Sequence, residues 1–158
     1  MKKYLCIALA AVMMVFSLTA CGGKGSAKEV TASADELAKK LAEETVTSDK
    51  LSAVSSDILA STYFVDMDQV EDSAAYLSTG ASSCEAVVIK CKESSYTSEV
   101  EQLLKKRVES QSTLYASYAP DEAAKLDSAI IKVSGSYVVL SVADDTEKAS
   151  SILSDAGF

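Results

Sequence analysis

The chain has 158 residues, with 15 basic and 23 acidic side chains and neither histidine nor tryptophan. The missing histidine excludes Ser-His-Asp and Cys-His catalysis and removes the commonest metal ligand. The excess of acidic residues makes charge-driven binding to nucleic acid or to an anionic lipid surface unfavourable.

The amino terminus has the form of a secretory signal. A short basic start precedes an apolar run over residues 4–16, which is too short for a membrane span of about 20 residues. The string Leu18-Thr19-Ala20-Cys21 then resembles a bacterial lipobox, in which the Cys thiol receives a diacylglyceryl group and the chain is cut before it. We expect residues 1–20 to be the lipoprotein signal peptide and Cys21 to be lipidated.

The segment after Cys21 is rich in Gly, Ser and Lys and is typical of a flexible tether. We predict that residues 21–32 hold the lipidated cysteine and this tether, and that residues 33–158 form a single domain. A double-chain lipid is a lasting anchor. The predicted location is therefore the extracytoplasmic face of a cell membrane, with a Gram-positive surface as the favoured setting.

The first part of the domain has helical periodicity. Residues 33–45 predict a helix in which Ser33 and Glu36 form a capping box. A second helical segment covers residues 50–63, and residues 66–71 form one more turn capped by Asp66.

The pattern then changes to the period of two that is typical of strands. Residues 73–79 and 85–92 predict one strand pair, and residues 129–133 and 137–143 predict another around the tight turn Ser134-Gly135. A long helix over residues 98–118, with a second capping box at Ser98 and Glu101, lies between the pairs. The string Ala119-Pro120-Asp121 ends that helix, and residues 145–155 predict the last one.

These elements form two β-β-α units, and short matches between the units leave a true duplication open. The order predicts an α+β domain: a four-stranded antiparallel sheet with helices packed on it, plus the amino-terminal helices. One strand face should pack against the long and final helices. Its residues are Ala74, Tyr76, Val87, Ile89, Cys91, Ala129, Ile131, Val133, Val138, Leu140 and Val142.

The other strand face is not polar, as it would be if it met only water. It carries Tyr137, Val139 and Val88, and two readings follow. In one, the first two helices cover this face through Leu37, Leu41, Leu51, Val54, Ile58 and Leu59. In the other, part of it stays open, and Tyr137, Val139 and Val88 are a candidate docking surface for a partner.

Cys84 and Cys91 are the two cysteines that remain after the signal peptide and Cys21. They are seven positions apart on one predicted strand, so they point to opposite faces and are too far apart for a disulfide.

The acidic run from Asp66 to Asp72 resembles the start of a calcium loop. An EF-hand needs an oxygen ligand and a glycine where this chain has Val70 and Glu71, so we favour a helix start. Asp144, Asp145 and Glu147 are better explained by helix capping than by paired catalytic carboxylates.

We interpret the remaining polar side chains of interest as structural. The cluster Lys105-Lys106-Arg107 is interpreted as a solvated helix face, and Tyr115 and Tyr118 as packing residues rather than a sugar-stacking surface. No catalytic residue, cofactor site or metal site is predicted.

Several strings together resemble an uncharacterised family of small clostridial-type lipoproteins that carry a domain of unknown function. They are Glu85-Ala86-Val87-Val88-Ile89-Lys90, the helix through Val100-Glu101-Gln102-Leu103-Leu104-Lys105-Lys106-Arg107, the break Tyr118-Ala119-Pro120-Asp121-Glu122, and Ser136-Tyr137-Val138-Val139-Leu140-Ser141-Val142-Ala143-Asp144-Asp145. The resemblance implies secretion and lipidation but no activity and no functional residues.

The leading hypothesis is a non-enzymatic, membrane-anchored module that binds a protein, a peptide or a cell-wall component. The first alternative is an accessory solute-binding lipoprotein of a transporter, although this chain is short for the usual two lobes. The second is a small hydrolase that works without histidine, through Ser–Lys or carboxylate groups. No nucleic-acid partner is expected.

Overall fold

The computed structural model describes residues 29–158. Its strands are β1 (Ser52–Ala53), β2 (Val70–Leu77), β3 (Glu85–Cys91), β4 (Ile130–Ser134) and β5 (Tyr137–Val142). Its α-helices are α1 (Ala34–Thr45), α2 (Ser56–Tyr63), α3 (Thr97–Ala116), α4 (Pro120–Asp127) and α5 (Thr146–Ala156). Short 3₁₀ turns at Met67–Gln69 and Ser94–Tyr96 complete this part of the chain.

The strands form one antiparallel sheet in the order β1-β2-β3-β5-β4. The α+β class is confirmed, but the sheet has five strands rather than the predicted four. The added strand is β1, which lies within the segment 50–63 that the periodicity predicted to be helical. Helix α2 begins only at Ser56, where the Ser55 hydroxyl accepts a hydrogen bond from the Ile58 N–H. Residues 52 and 53 instead pair with the end of β2.

The capping predictions had mixed outcomes. Ser33 and Glu36 form both hydrogen bonds of a capping box at the start of α1. The second box, at Ser98 and Glu101, is wrong: α3 begins one residue earlier, continues from a 3₁₀ turn, and has no side-chain cap. Glu101 pairs with Lys105 at 2.7 Å instead, one helical turn further on.

The break at Pro120 ends one helix and begins another. Helix α3 stops at Ala116, and Pro120 is at the first turn of α4, a helix that the sequence analysis missed. Proline suits this position because the N–H that it lacks would have no intrahelical partner there. Ala123 and Leu126 of α4 are buried against α3 and the sheet.

Helices cover both faces of the sheet, so the fold has three layers. Helices α1 and α5 pack on the face that carries Ala86, Val88 and Val139. Helices α2, α3 and α4 pack on the face that carries Val87, Ile89 and Leu140. The central strands β3 and β5 are therefore buried on both sides, and every residue of β5 is buried.

Two assignments of the strand faces need correction. Ala74 pairs with Val88 and Ala75 with Val87, so Ala74 and Tyr76 belong to the α1 face and Ala75 to the α3 face. The run of small and polar residues in β2 fits a period of two in either register, which is why periodicity alone chose wrongly.

The final helix also lies on the other side of the sheet from its predicted place. Helix α5 packs beside α1 rather than beside α3, through Ala149, Ile152 and Leu153. The helices of the two β-β-α units are thus on opposite faces, and the units are not equivalent in space.

The packed chain begins earlier than residue 33. Val30 is 7% exposed and belongs to the cluster under α1 and α5, and Ala32 packs against the same cluster. Val30 and Ala32, which the sequence analysis placed in the tether, therefore pack with the domain. The predicted signal peptide, Cys21 and the rest of the predicted tether lie outside the described residues.

The two cysteines of the domain point to opposite faces, as predicted. Cys84 is buried in the α1 cluster and Cys91 in the α3 cluster, and both are free thiols.

A pair of substitutions tests the two-sided burial of the sheet. Val87→Ala and Val88→Ala change neighbouring residues that face opposite layers, and both side chains are fully buried. Each should lower the free energy of unfolding by about 2 kcal/mol, because each leaves a small cavity. Urea unfolding of the purified protein measures this. Val133→Ala, on the partly exposed edge strand β4, is the control and should change stability by less than about 1 kcal/mol. A nearly neutral Val88→Ala would contradict the closed α1 face.

Candidate functional site

The candidate docking surface of the sequence analysis is covered by this chain itself. Val88 and Val139 have no exposed surface, and Tyr137 is 9% exposed. All three pack in the cluster of α1 and α5, and the Tyr137 hydroxyl donates to the carbonyl of Ala32 at 3.3 Å. These residues are therefore not an open docking surface in this structure.

The reading in which helices cover this face describes the structure better, with one change. Leu37, Leu41 and Leu51 lie in the covering cluster as predicted. Helix α2 does not contribute, since Leu59 packs on the opposite face and Ile58 is 48% exposed. Helix α5 takes its place.

The structure gathers a group of polar side chains of which the sequence analysis considered only Asp144 and Cys84. We call Asp144, Lys125, Glu122, Ser48 and Cys84 the lysine cluster. The Lys125 ammonium lies 2.8 Å from Asp144 Oδ1 and 2.8 Å from Glu122 Oε1. It also lies 3.1 Å from the Ser48 hydroxyl and 3.9 Å from Cys84 Sγ. The cluster thus joins α4 to the loops that follow α1 and β5.

Asp144 is the centre of the lysine cluster. Its Oδ2 accepts the backbone N–H groups of Thr47 and Ser48 at 2.6 and 2.7 Å. Partial burial alone would raise the pKa of Asp144, but its hydrogen bonds to Lys125, Ser48 and Thr47 outweigh burial and hold that pKa well below its usual range. Asp145, by contrast, caps α5 as predicted, by accepting the Lys148 N–H. The capping interpretation is right for Asp145 but misses the role of Asp144.

The lysine cluster brings together a serine and a lysine, the pair required by the hydrolase alternative. A serine nucleophile needs a neutral lysine to take its proton. Although burial on its own would lower the pKa of Lys125, the hydrogen bonds to Asp144 and Glu122 raise that pKa well above its usual range. Burial also raises the pKa of the Cys84 thiol. The cluster therefore holds a charged ammonium and a protonated thiol, which suits a structural clamp.

A second buried polar group lies near the same end of β3, on the face that α2 and α3 cover. We call Glu85, Tyr63 and Arg107 the Glu85 triad. Glu85 Oε2 accepts the Tyr63 hydroxyl at 2.9 Å and pairs with an Arg107 Nη at 3.2 Å. Burial raises the pKa of Glu85, although Arg107 and Tyr63 act to lower it. Removing one partner of such a buried pair typically costs about 3–5 kcal/mol.

The sequence analysis missed the Glu85 triad, although a signal was present. Glu85 shares the inward parity of Val87 and Ile89 on one strand, so a carboxylate at that position needs a buried partner. Arg107 supplies it and is half-buried, so the solvated-face interpretation fails for Arg107. It holds for Lys105, which pairs with Glu101.

Phe64 is the most exposed large apolar side chain of the described residues, at 80%. It ends α2 in the left-handed conformation, with φ +58° and ψ +32°. A bulky side chain rarely adopts this conformation, which costs about 1–2 kcal/mol. Such strain concentrates at functional sites. The exposed and strained Phe64 is therefore a candidate functional residue.

A groove of about 260 Å³ lies beside Phe64, between the end of α2 and the middle of α3. We call it the Phe64 groove. It is lined by Thr62, Phe64, Leu103, Lys106, Arg107, Ser110 and Gln111. The Glu85 triad lies beside the groove, because Tyr63 precedes Phe64 in the chain and Arg107 is part of the wall.

The remaining candidate residues have local structural roles. Asp66 caps the 3₁₀ turn by accepting the Asp68 N–H, while Val70 and Glu71 already belong to β2. Within residues 29–158, no group of three or more potential metal ligands comes together. Tyr115 is buried, whereas Tyr118 is 59% exposed and lies with its ring centroid 5.3 Å from that of Tyr115.

These features define an α+β protein with one five-stranded antiparallel sheet between two helical layers. Residues 43–143 match the family described as "Domain of unknown function (DUF4358)", and the chain belongs to that family. The match spans all five strands and α2–α4 but leaves out α5 and most of α1. No curated protein and no solved structure matches this chain. The expected domain of unknown function is thus confirmed, while its description says nothing of lipidation.

The lysine cluster predicts a stability that depends on pH. Asp144→Asn should lower the free energy of unfolding by about 2 kcal/mol at pH 7, since it removes a charged hydrogen-bond acceptor. Because the pKa of Asp144 is depressed in the folded chain, its contribution is complete above about pH 4 and is lost as the pH falls through the folded value. The gap between wild type and variant should therefore narrow in the acid range.

Urea unfolding at several pH values measures this gap. Asp121→Asn is the matched control, because Asp121 is exposed in the first turn of α4. It should change stability by no more than about 0.5 kcal/mol. A gap for Asp144→Asn that stays constant down to pH 2 would contradict the role given to its carboxylate.

The backbone at residue 64 gives a second prediction. Phe64→Gly should raise the free energy of unfolding by about 0.5 kcal/mol, because glycine relieves the left-handed conformation and little burial is lost. Tyr118→Gly is the control: Tyr118 is also exposed but lacks a positive φ, so its replacement should be destabilising. Thermal and urea unfolding provide the measurement. A loss above 1 kcal/mol for Phe64→Gly would show that the ring supports the fold.

Proposed function

We propose that this protein is a lipoprotein anchored on the extracytoplasmic face of a cell membrane, where it acts as a non-enzymatic binding module. The observation that carries the proposal is the string Leu18-Thr19-Ala20-Cys21 at the end of a short basic and apolar segment. Its cysteine is the expected attachment point of a diacylglyceryl group, with acyl chains such as palmitate.

The position of the domain in the chain supports this arrangement. Val30 is packed in the described part of the chain, and only eight residues, which include Gly and Lys, stand between it and Cys21 in the sequence. Eight residues span at most about 28 Å when fully extended. Across residues 29–158, no helix combines the length and apolar character that a membrane crossing requires. Anchorage in this proposal rests on the lipid.

The chemistry of the domain favours binding over catalysis. The lysine cluster holds its ammonium between two carboxylates and its thiol is buried, so neither group is prepared for proton transfer or attack. The Phe64 groove instead offers an exposed aromatic ring with polar side chains around it, a combination that is common in interfaces.

A hydrolase that lacks histidine is the second candidate, and the 3.1 Å contact between Lys125 and Ser48 favours it. The raised pKa of Lys125 argues against it, since the lysine would have to lose a proton first. An accessory solute-binding lipoprotein is the alternative within the binding class. The small volume of the Phe64 groove and the single sheet support it less well than contact with a macromolecule.

The anchor is tested by Cys21→Ala in the native host. The variant should take up no labelled palmitate, because the acceptor thiol is gone. It should either remain as the uncleaved precursor or be shed, and shed protein should leave the detergent phase. Metabolic labelling with an alkyne fatty acid and phase partitioning provide the measurements.

Cys84→Ala is the matched control, since this thiol is buried inside the domain. It should label and partition like the wild type. If the Cys21→Ala variant were still recovered as a mature acylated membrane protein, the lipoprotein proposal would be wrong.

A further inference from the structure

We infer that the Phe64 groove is the docking site of this module and that it takes an acidic peptide segment of a partner protein. In this arrangement a large apolar side chain of the peptide packs beside Phe64, and a neighbouring carboxylate pairs with Lys106. The inference rests on the proposed binding function and adds to it a site and a class of partner.

The size of the groove favours a peptide segment over a free small molecule. About 260 Å³ is below the usual range for pockets that enclose a whole drug-sized ligand, about 300–1,000 Å³. It suits one or two apolar side chains. Phe64, at 80% exposed, and the half-buried Leu103 supply the apolar contact, and large exposed apolar groups mark interaction sites when they lie together.

The charges at the groove favour an acidic partner. The chain as a whole carries a net charge of −8, yet none of the seven lining residues is acidic and two are basic. Lys105 is already paired with Glu101, whereas Lys106 has no ion-pair partner among residues 29–158. Arg107 uses Nε and one Nη to bind Glu85. The unpaired ammonium of Lys106 is therefore available to a carboxylate.

The place of the groove in the fold favours a partner in the aqueous phase over the lipid surface. Val30, near the start of the described part of the chain, packs in the α1 layer. The groove opens in the α2–α3 layer, on the other face of the sheet. Helices pack about 10 Å from a sheet on each side. The groove therefore lies on the opposite face of the sheet from the layer that contains Val30, a packed residue close in the chain to the proposed anchor.

The Glu85 triad holds the groove in shape before a partner arrives. Tyr63 donates to Glu85, and the Arg107 guanidinium lies over the Tyr63 ring at 5.8 Å. These contacts join the end of α2 to α3 and to β3. They position Phe64, the next residue, so binding need not order this part of the chain, and such preorganisation reduces the entropic cost of association.

The test uses the full-length lipidated protein in detergent micelles and two labelled peptides. In the acidic peptide one Phe and one Leu are flanked by Glu, and in the basic peptide Lys replaces each Glu. Fluorescence anisotropy should show saturable binding of the acidic peptide, weakened by added salt because the charge contact is exposed. Absence of binding would overturn the inference, and equal binding of the basic peptide would overturn the part that concerns charge.

Two variants locate the binding site. Phe64→Gly and Lys106→Glu should each raise the Kd for the acidic peptide about tenfold or more, as expected for central contacts of an interface. The controls are Tyr118→Gly, another exposed aromatic residue, and Lys40→Glu, the same charge change on α1 in the opposite layer. Both controls should bind like the wild type. Wild-type affinity in both groove variants would place the site elsewhere.

A membrane role for the groove gives a different result. The chain has no tryptophan, so Phe64→Trp introduces a unique fluorophore. With the lipidated variant in phosphatidylglycerol-containing vesicles, the emission of the introduced indole should be that of an exposed group and should shift to the blue only when the acidic peptide is added. A blue shift without peptide, with quenching by brominated lipid, would mean that the groove faces lipid and would overturn the inference.

These outcomes are separable from those of the anchor. Failure of labelling at Cys21 would remove the lipoprotein proposal, while peptide binding that depends on Phe64 and Lys106 would still establish the groove. Normal lipidation without peptide binding would leave the lipoprotein proposal standing and would remove the inference about the groove.

Discussion

The pairing of β3 with β5 at the centre of the sheet is the constraint on which the rest of the structure depends. Both strands are apolar on both faces, so neither face can be left to water. Each face therefore requires its own helical layer. This requirement places α1 and α5 on one side and α2, α3 and α4 on the other. It also explains why the surface around Val139 is filled from within the chain.

Because helices cover both faces of the sheet, the lysine cluster and the Glu85 triad lie at one end of the central strands. The Phe64 groove lies on the outer surface of a helical layer. The lysine cluster and the Glu85 triad both lie near the start of β3. Each joins elements that are far apart in the chain: Asp144 binds the loop after α1, and Glu85 binds α2 and α3. Their pKa values move in opposite directions, because Asp144 gains several donors while burial dominates at Glu85.

The two helical layers differ in their position relative to the proposed anchor. The α1 layer contains Val30, a packed residue close in the chain to the proposed anchor at Cys21, and the family match leaves out α5 and most of α1. The α2–α3 layer lies within the matched region and carries the strained, exposed Phe64. We therefore propose that the α1 layer connects the domain to the lipid and that the α2–α3 layer binds the partner.

Much of the chain was predictable from local patterns. The Ser33–Glu36 capping box, the Ser134-Gly135 turn and the apolar strands each depend on residues that are close together in the sequence. Their physics is local: a cap satisfies N–H groups one turn away, and a turn needs a residue that tolerates positive φ, as Gly135 does. The same patterns gave the α+β class correctly.

The tertiary structure alone decided which layer each helix joins and which polar groups meet. The parity of β2 depended on its pairing with β3, because its side chains fit either face. The contact of Asp144 with Lys125 and of Glu85 with Arg107 joins residues separated by 19 and 22 positions. No periodicity encodes such contacts, since they follow from the way buried surfaces on both sides of one sheet bring distant segments together.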